Sequence, residues 1–185
     1  MEHIIFYVII ILAVSLLSWL RGKNESKEEV KAKEEEKKIS NVDTRKLFLD
    51  TLTNIGCQYQ LGEGDDTRIF FAYQGEHFFA DTNNESIYVH IWDTHWGHVE
   101  LYDIDEVSRL RKAINTSNMN SAVTTFYTID DDAKTMNVHT KSTITFMCNI
   151  PLLENYLRTE LNEFFHAHQI VGTEIHKLRE QEQHA

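Results

Sequence analysis

A sharp change of composition near residue 40 divides this chain into parts that cannot share one core. Ile4 to Leu20 is an apolar run of 17 residues without Asp, Glu, Lys or Arg. Residues 23–38 are Lys, Glu, Ala, Asn, Ser and a lone Val30, and the remainder has the mixed composition of a folded domain. At about 1.5 Å rise per residue the run makes roughly 26 Å of helix, near the lower limit for crossing a bilayer. Ile4 and Leu20 bound the run, and Tyr7 and Trp19 stand toward its ends, where rings with a polar edge prefer the membrane interface. The competing reading is a cleaved signal peptide, for which Ala13-Val14-Ser15 offers a cleavage site. Met1-Glu2-His3 lacks Lys and Arg, however, and the run is longer than a usual h-region, so an uncleaved anchor over residues 1–22 is expected.

Orientation follows from the Lys and Arg count. None precedes the run, whereas Arg21, Lys23, Lys27, Lys31, Lys33, Lys37 and Lys38 follow it, so the following domain is expected on the cytoplasmic side. Glu29 with Lys33 and Glu34 with Lys38 have the favourable helical ion-pair spacing, which makes residues 23–41 a charged helical linker. The domain, residues 42–185, holds 11 of the 18 basic and 22 of the 29 acidic residues and so carries the whole formal charge of −11. A nucleic-acid partner needs a basic footprint and is not expected. Cys57 and Cys148, each in an apolar stretch, suggest core thiols rather than a disulfide framework or a zinc site.

Asp43 or Thr44 can cap a first helix carrying Phe48, Leu52 and Ile55 and ended by Gly56. Alternation then predicts strands: Cys57, Tyr59 and Leu61 on one face, a hairpin of Arg68 to Tyr73 and His77 to Ala80 about Gln74-Gly75, and Ile87 to Trp92. A less regular piece runs from His95 to Tyr102. Asp103 with Glu106 forms a capping-box variant, with Tyr102 and Val107 placed as a staple, and Val107, Leu110 and Ile114 form the buried stripe of a second helix. Strands Ala122 to Ile129 and Met136 to Met147 flank Asp130-Asp131-Asp132-Ala133-Lys134, a solvated turn rather than a calcium loop. A last helix starts at Pro151 and repeats Leu153, Leu157, Leu161, Phe164, His168, Val171, Ile175 and Leu178, with the part beyond Gly172 expected to project. The fold class is therefore α+β: an antiparallel sheet with helices mainly on one face, in the order α-β-β-β(-β)-α-β-β-α.

The densest polar-aromatic cluster lies between Tyr88 and His98. If Ile87, Val89 and Ile91 face the core, Tyr88, His90 and Trp92 form a stripe on the other sheet face. Phe70 or Phe71 and Phe78 or Phe79 join it, and Trp96 extends the cluster. Such a face marks an interaction surface or lies under the last helix or a dimer partner. His90, Asp93, His95 and His98 are the candidates for a metal, although their spacing does not converge on a strand. No Gly-x-Ser-x-Gly elbow or phosphate-cradling glycine loop is present, so neither an enzyme nor a cofactor is expected.

Tyr88-Val-His-Ile-Trp92, Asp105-Glu106-Val107-x-x-Leu110-x-x-Ala113-Ile114-Asn115-x-x-Asn118, the hairpin from Phe126 to Val138 and the helix from Leu152 give a pattern over most of residues 43–170. It resembles the type III secretion chaperone-like fold, and in particular the YbjN-like bacterial family labelled sensory-transduction regulators. The resemblance implies a small, acidic, non-enzymatic protein, dimeric in the secretion chaperones, that binds an extended segment of another polypeptide. The anchor and linker depart from both branches. The combined expectation is a binding module on the inner membrane, single-pass with its C-terminal domain cytoplasmic, engaging a polypeptide or a second copy of itself. The alternative is a sensory domain taking a small ligand or divalent metal between Trp92 and His98.

Overall fold

A computed structural model of the chain describes residues 43–64 and 67–184. The expected anchor, with Ile4, Tyr7, Trp19 and Leu20, and the charged linker lie outside the described residues. Nine elements follow one another: α1 (Thr44–Asn54), β1 (Tyr59–Leu61), β2 (Ile69–Tyr73), β3 (Glu76–Asp81), β4 (Tyr88–Glu100), α2 (Ile104–Asn120), β5 (Thr124–Asp130), β6 (Thr135–Thr145) and α3 (Leu153–Gln183). The six strands form one antiparallel sheet in the order β1-β2-β3-β4-β6-β5. The fold is α+β, as the pattern predicts.

Local chemistry explains most boundaries. Asp43 accepts the Lys46 N–H at 2.9 Å and Asp103 accepts the Glu106 N–H at 3.0 Å, each satisfying a donor that a helix start leaves free. Gln74 and Gly75 have φ of 51° and 92°, the paired positive values of a two-residue hairpin turn whose twist matches the flanking strands. Asp130 Oδ1 accepts the N–H groups of Asp132 and Ala133, so the aspartate turn is held by its own first side chain.

All three helices cover one face of the sheet. Phe48 of α1 packs edge-on against Phe71 and Phe146, and Phe164 of α3 packs edge-on against Phe78. A second cluster joins Leu110, Ala113 and Ile114 of α2 to Met136, Val138 and Val171. Phe48, Phe146 and Phe164 are completely buried, and burial of each contributes about 1.5–3 kcal/mol.

Several expectations are corrected. The piece from His95 to Tyr102 is largely the second half of β4, which pairs with β6 on both sides of a bulge between Thr94 and Gly97. His95 sits in that bulge at φ 61°. Residues Tyr59 to Leu61 form an exposed edge strand rather than one with a buried face. Tyr102 is 80% exposed, so the hydrophobic staple is not made. Cys57 is buried as expected but Cys148, beyond the end of β6, is exposed. The last helix begins at Leu153, after Leu152 in the left-handed region, and Pro151 belongs to the preceding turn.

The end of α3 does not project. Arg179 Nε lies 2.8 Å from Glu106 Oε1, Arg109 Nη1 lies 2.7 Å from the same oxygen, and Arg109 Nε lies 2.9 Å from Glu182 Oε2. These contacts clamp the last turns of α3 onto the start of α2. Arg179 above all, then Arg109, holds the Glu106 carboxyl below the ordinary carboxylate range, against an opposing effect of burial.

Candidate functional site

The helix-free face of the sheet carries a continuous aromatic strip set by strand register. Phe70 pairs with Phe79, Phe79 with Trp92, and Trp92 with Lys141 across β2, β3, β4 and β6. Even alternation along each strand leaves all four on the side away from the helices. The phase left open between Phe70 and Phe71, and between Phe78 and Phe79, resolves to Phe70 and Phe79 on this face.

The rings touch in sequence. Phe70 and Phe79 have centroids 6.3 Å apart, and Phe79 stacks on Trp92 at 4.8 Å with planes 12° apart. The Arg68 guanidinium lies over Phe70 and Phe79, 5.3 and 5.9 Å from the centroids, and Lys141 Nζ lies 5.6 Å from the Phe126 centroid. His90 joins beside Trp92 at 5.8 Å and meets Thr143 Oγ1 through Nδ1 at 2.9 Å. Tyr88 is 48% exposed at one end. Tyr88, His90 and Trp92 are thus together, as the alternation predicts. Arg68 enters through its position just before β2, whereas Lys141 and Phe126 enter because β6 inserts between β4 and β5, a pairing that local alternation does not contain.

Trp96 stands apart from this strip. The bulge adds His95 and Trp96 between paired residues, and the turn at His95 sends the indole to the helix side. There it stacks on His168 at 4.0 Å and donates from Nε1 to Thr140 Oγ1 at 3.0 Å. Beneath it Asp93, which faces the helices and is 2% exposed, approaches His168 Nε2 with Oδ2 at 3.2 Å. Neither atom has an aligned hydrogen bond, so the contact is one of proximity. A chain of hydroxyls continues inward from Thr140 through Thr125 and Ser117 to the Ala167 carbonyl, with each step 3.4 Å. This polar layer locates α2 and α3 against the sheet.

His139 fills the hollow made by the bulge on the helix-free side. It stacks on Phe126 at 5.1 Å and meets the edge of His95 at 4.6 Å. Its Nδ1 accepts the His95 N–H at 3.2 Å, which assigns the proton to Nε2, 2.7 Å from Thr128 Oγ1. Burial first, and His95 second, push its pKa down, with Asp93 pulling the other way.

The four metal candidates do not meet at one point. Asp93 faces the helices, His90 lies on the opposite sheet face bonded to Thr143, and His95 packs on His139, with His98 beyond the bulge. Among the described residues, no group of three or more His, Cys, Asp or Glu is arranged to hold a metal ion.

No family model matches the chain, and no curated protein matches it. Among solved structures it is similar to the crystal structure of an uncharacterized protein from Methanothermobacter thermautotrophicus. The TM-score is 0.50 at 11% identity, over 72% of this chain and 97% of that one. At that identity the likeness concerns the fold alone.

Proposed function

We propose that the chain is a non-catalytic binding module, tethered to the inner membrane by its apolar N-terminal segment, that engages a polypeptide through the helix-free sheet face. The carrying observation is the aromatic strip of Phe70, Phe79 and Trp92, with Tyr88 and His90 at its border, on the face opposite all three helices. Aromatic side chains offer large contact area with few rotors to freeze, and Arg adds a planar, charged fork, which is why both are enriched at binding surfaces. The resemblance of the sequence pattern to the secretion chaperones, which bind an extended segment of another protein, supports a polypeptide as the partner.

Replacing Tyr88 and Trp92 together by Ala tests the reading. Capture of partner polypeptides from membrane extracts should fall at least tenfold, while the thermal midpoint stays within a few degrees of the parent. Equal recovery by variant and parent would remove this face from the binding function.

A further inference from the structure

The outer edge of the sheet at β5 is closed over its first half and open over its second. Asn118 of α2 accepts the Thr125 N–H through Oδ1 at 2.8 Å and donates from Nδ2 to the Thr125 carbonyl at 2.9 Å. Ser121 Oγ donates to the Val123 carbonyl at 3.1 Å. The side chains that end α2 therefore take the place of a neighbouring strand. Alternation in an antiparallel ladder then fixes the rest: Thr124, Phe126, Thr128 and Asp130 bond to β6, whereas Thr125, Tyr127 and Ile129 turn their backbone groups outward. Beyond Thr125 no side chain of the described residues bonds the outward groups, and Tyr127 and Ile129 are themselves 37% and 53% exposed.

The flank of α2 supplies a wall beside this open edge. The N-terminus of α2 follows Glu100, which pairs with Thr135, itself the partner of Asp130, while Asn118 lies at Thr125. The helix thus runs back along β5. Positions four, seven, eleven and fourteen before Asn118 share its side, which places Val107, Arg111 and the 75% exposed Ile104 along the open half. An open groove of about 620 Å³ lies along this flank, lined by α2 residues alone, Arg111 and Lys112 among them. Among the described residues neither cation has an ion-pair partner.

We propose that the open half of β5 accepts an extended segment of another polypeptide as an added strand, and that the segment alternates apolar and acidic side chains. Tyr127 and Ile129 supply the backbone bonds, Ile104 and Val107 the apolar wall, and Arg111 and Lys112 the complement for carboxylates. A second copy fits less well. Pairing two β5 edges about a two-fold axis sets the flank of α2 against its own image, with Arg111 and Lys112 facing like charge. This surface is separate from the aromatic strip, so the two fail independently.

Hydrogen exchange read residue by residue on the full-length chain in non-ionic detergent is the test. The probes are end-blocked octapeptides alternating Val with Glu or Val with Lys. The Val-Glu peptide should slow exchange at the Tyr127 and Ile129 amides at least tenfold. Ile129→Pro removes one outward N–H and leaves the bonds to β6, and it should weaken the peptide at least tenfold. Arg111→Glu, a surface change that keeps the backbone intact, should shift preference to the Val-Lys peptide. Any of three results overturns the proposal: no slowing at millimolar Val-Glu peptide, slowing around Phe79 and Trp92 instead, or slowing at Tyr127 and Ile129 without peptide that grows with protein concentration. The last would assign the edge to a second copy.

Discussion

Asp93 Oδ2 and His168 Nε2 approach to 3.2 Å under the Trp96 indole and so bind the middle of β4 to the middle of α3. Removing one member of a buried polar contact leaves the other without a partner, at a cost of about 1–3 kcal/mol. Asp93→Ala should lie near the lower end, about 1 kcal/mol in urea unfolding, because water reaches 17% of the His168 side chain. The double replacement Asp93→Leu with His168→Phe should restore most of that loss. If it destabilises as much as both single changes added, the pair is not the source of the cost.

Phe78 and Phe79 are sequence neighbours with opposite surroundings. Phe78→Ala opens a cavity against Phe71 and Phe164 and should cost about 3–5 kcal/mol. Phe79→Ala removes a ring stacked on Trp92 at the surface and should cost about 1 kcal/mol. Urea midpoints of the two variants measure the difference directly, and equal losses would mean that the face assignment is inverted.

The neutral His139 makes stability depend on pH in the mildly acidic range. Its folded pKa lies below the ordinary 6.5, so the unfolded chain takes up a proton first as pH falls. Stability is fully present above about pH 6.5 and is lost as pH drops from there through the folded pKa. His139→Asn should flatten this part of the thermal midpoint profile between pH 7 and 5. An unchanged slope would place the titration on another group.

Glu106 produces a second, more acidic slope. Its folded pKa is depressed below 4.5 by Arg179 foremost, so its contribution is present above about pH 4.5 and disappears as pH falls through the folded value. Arg179→Ala should reduce the slope below pH 4.5 and release the last turns of α3, seen as faster amide exchange over residues 176–183. Exchange there at the parent rate would show that the apolar contacts of Ile175 are sufficient.

Asn118→Ala leaves the Thr125 N–H and carbonyl without their partners. An unmade bond at a largely buried group costs about 1–3 kcal/mol, which urea unfolding can resolve. The same change lengthens the open edge, so sedimentation should reveal more self-association than the parent shows. A monodisperse variant of parent stability would mean that water replaces the amide without loss.

The one-dimensional pattern already specified the element order, the Asp103 cap, the Gln74-Gly75 hairpin turn and the core stripe of α3 from Leu157 to Val171, and it narrowed the first cap to Asp43 or Thr44. These depend on periodicity and on bonds made within a few residues, which the order of side chains encodes directly. It also placed Tyr88, His90 and Trp92 on one face. Three further features depended on partners far along the chain. Strand register chose Phe70 and Phe79 over Phe71 and Phe78, since a slip of one residue exchanges the faces. The insertion of β6 beside β4 brought Lys141, Phe126 and His139 to the strip, and the bulge at His95 carried Trp96 away from it. Clamping of α3 by Glu106 and Arg109, and closure of β5 by Asn118, likewise arose only when separate elements packed. Local rules set the pieces and their apolar sides; tertiary pairing alone decided which side chains became neighbours, because that choice is made by contacts between residues tens of positions apart.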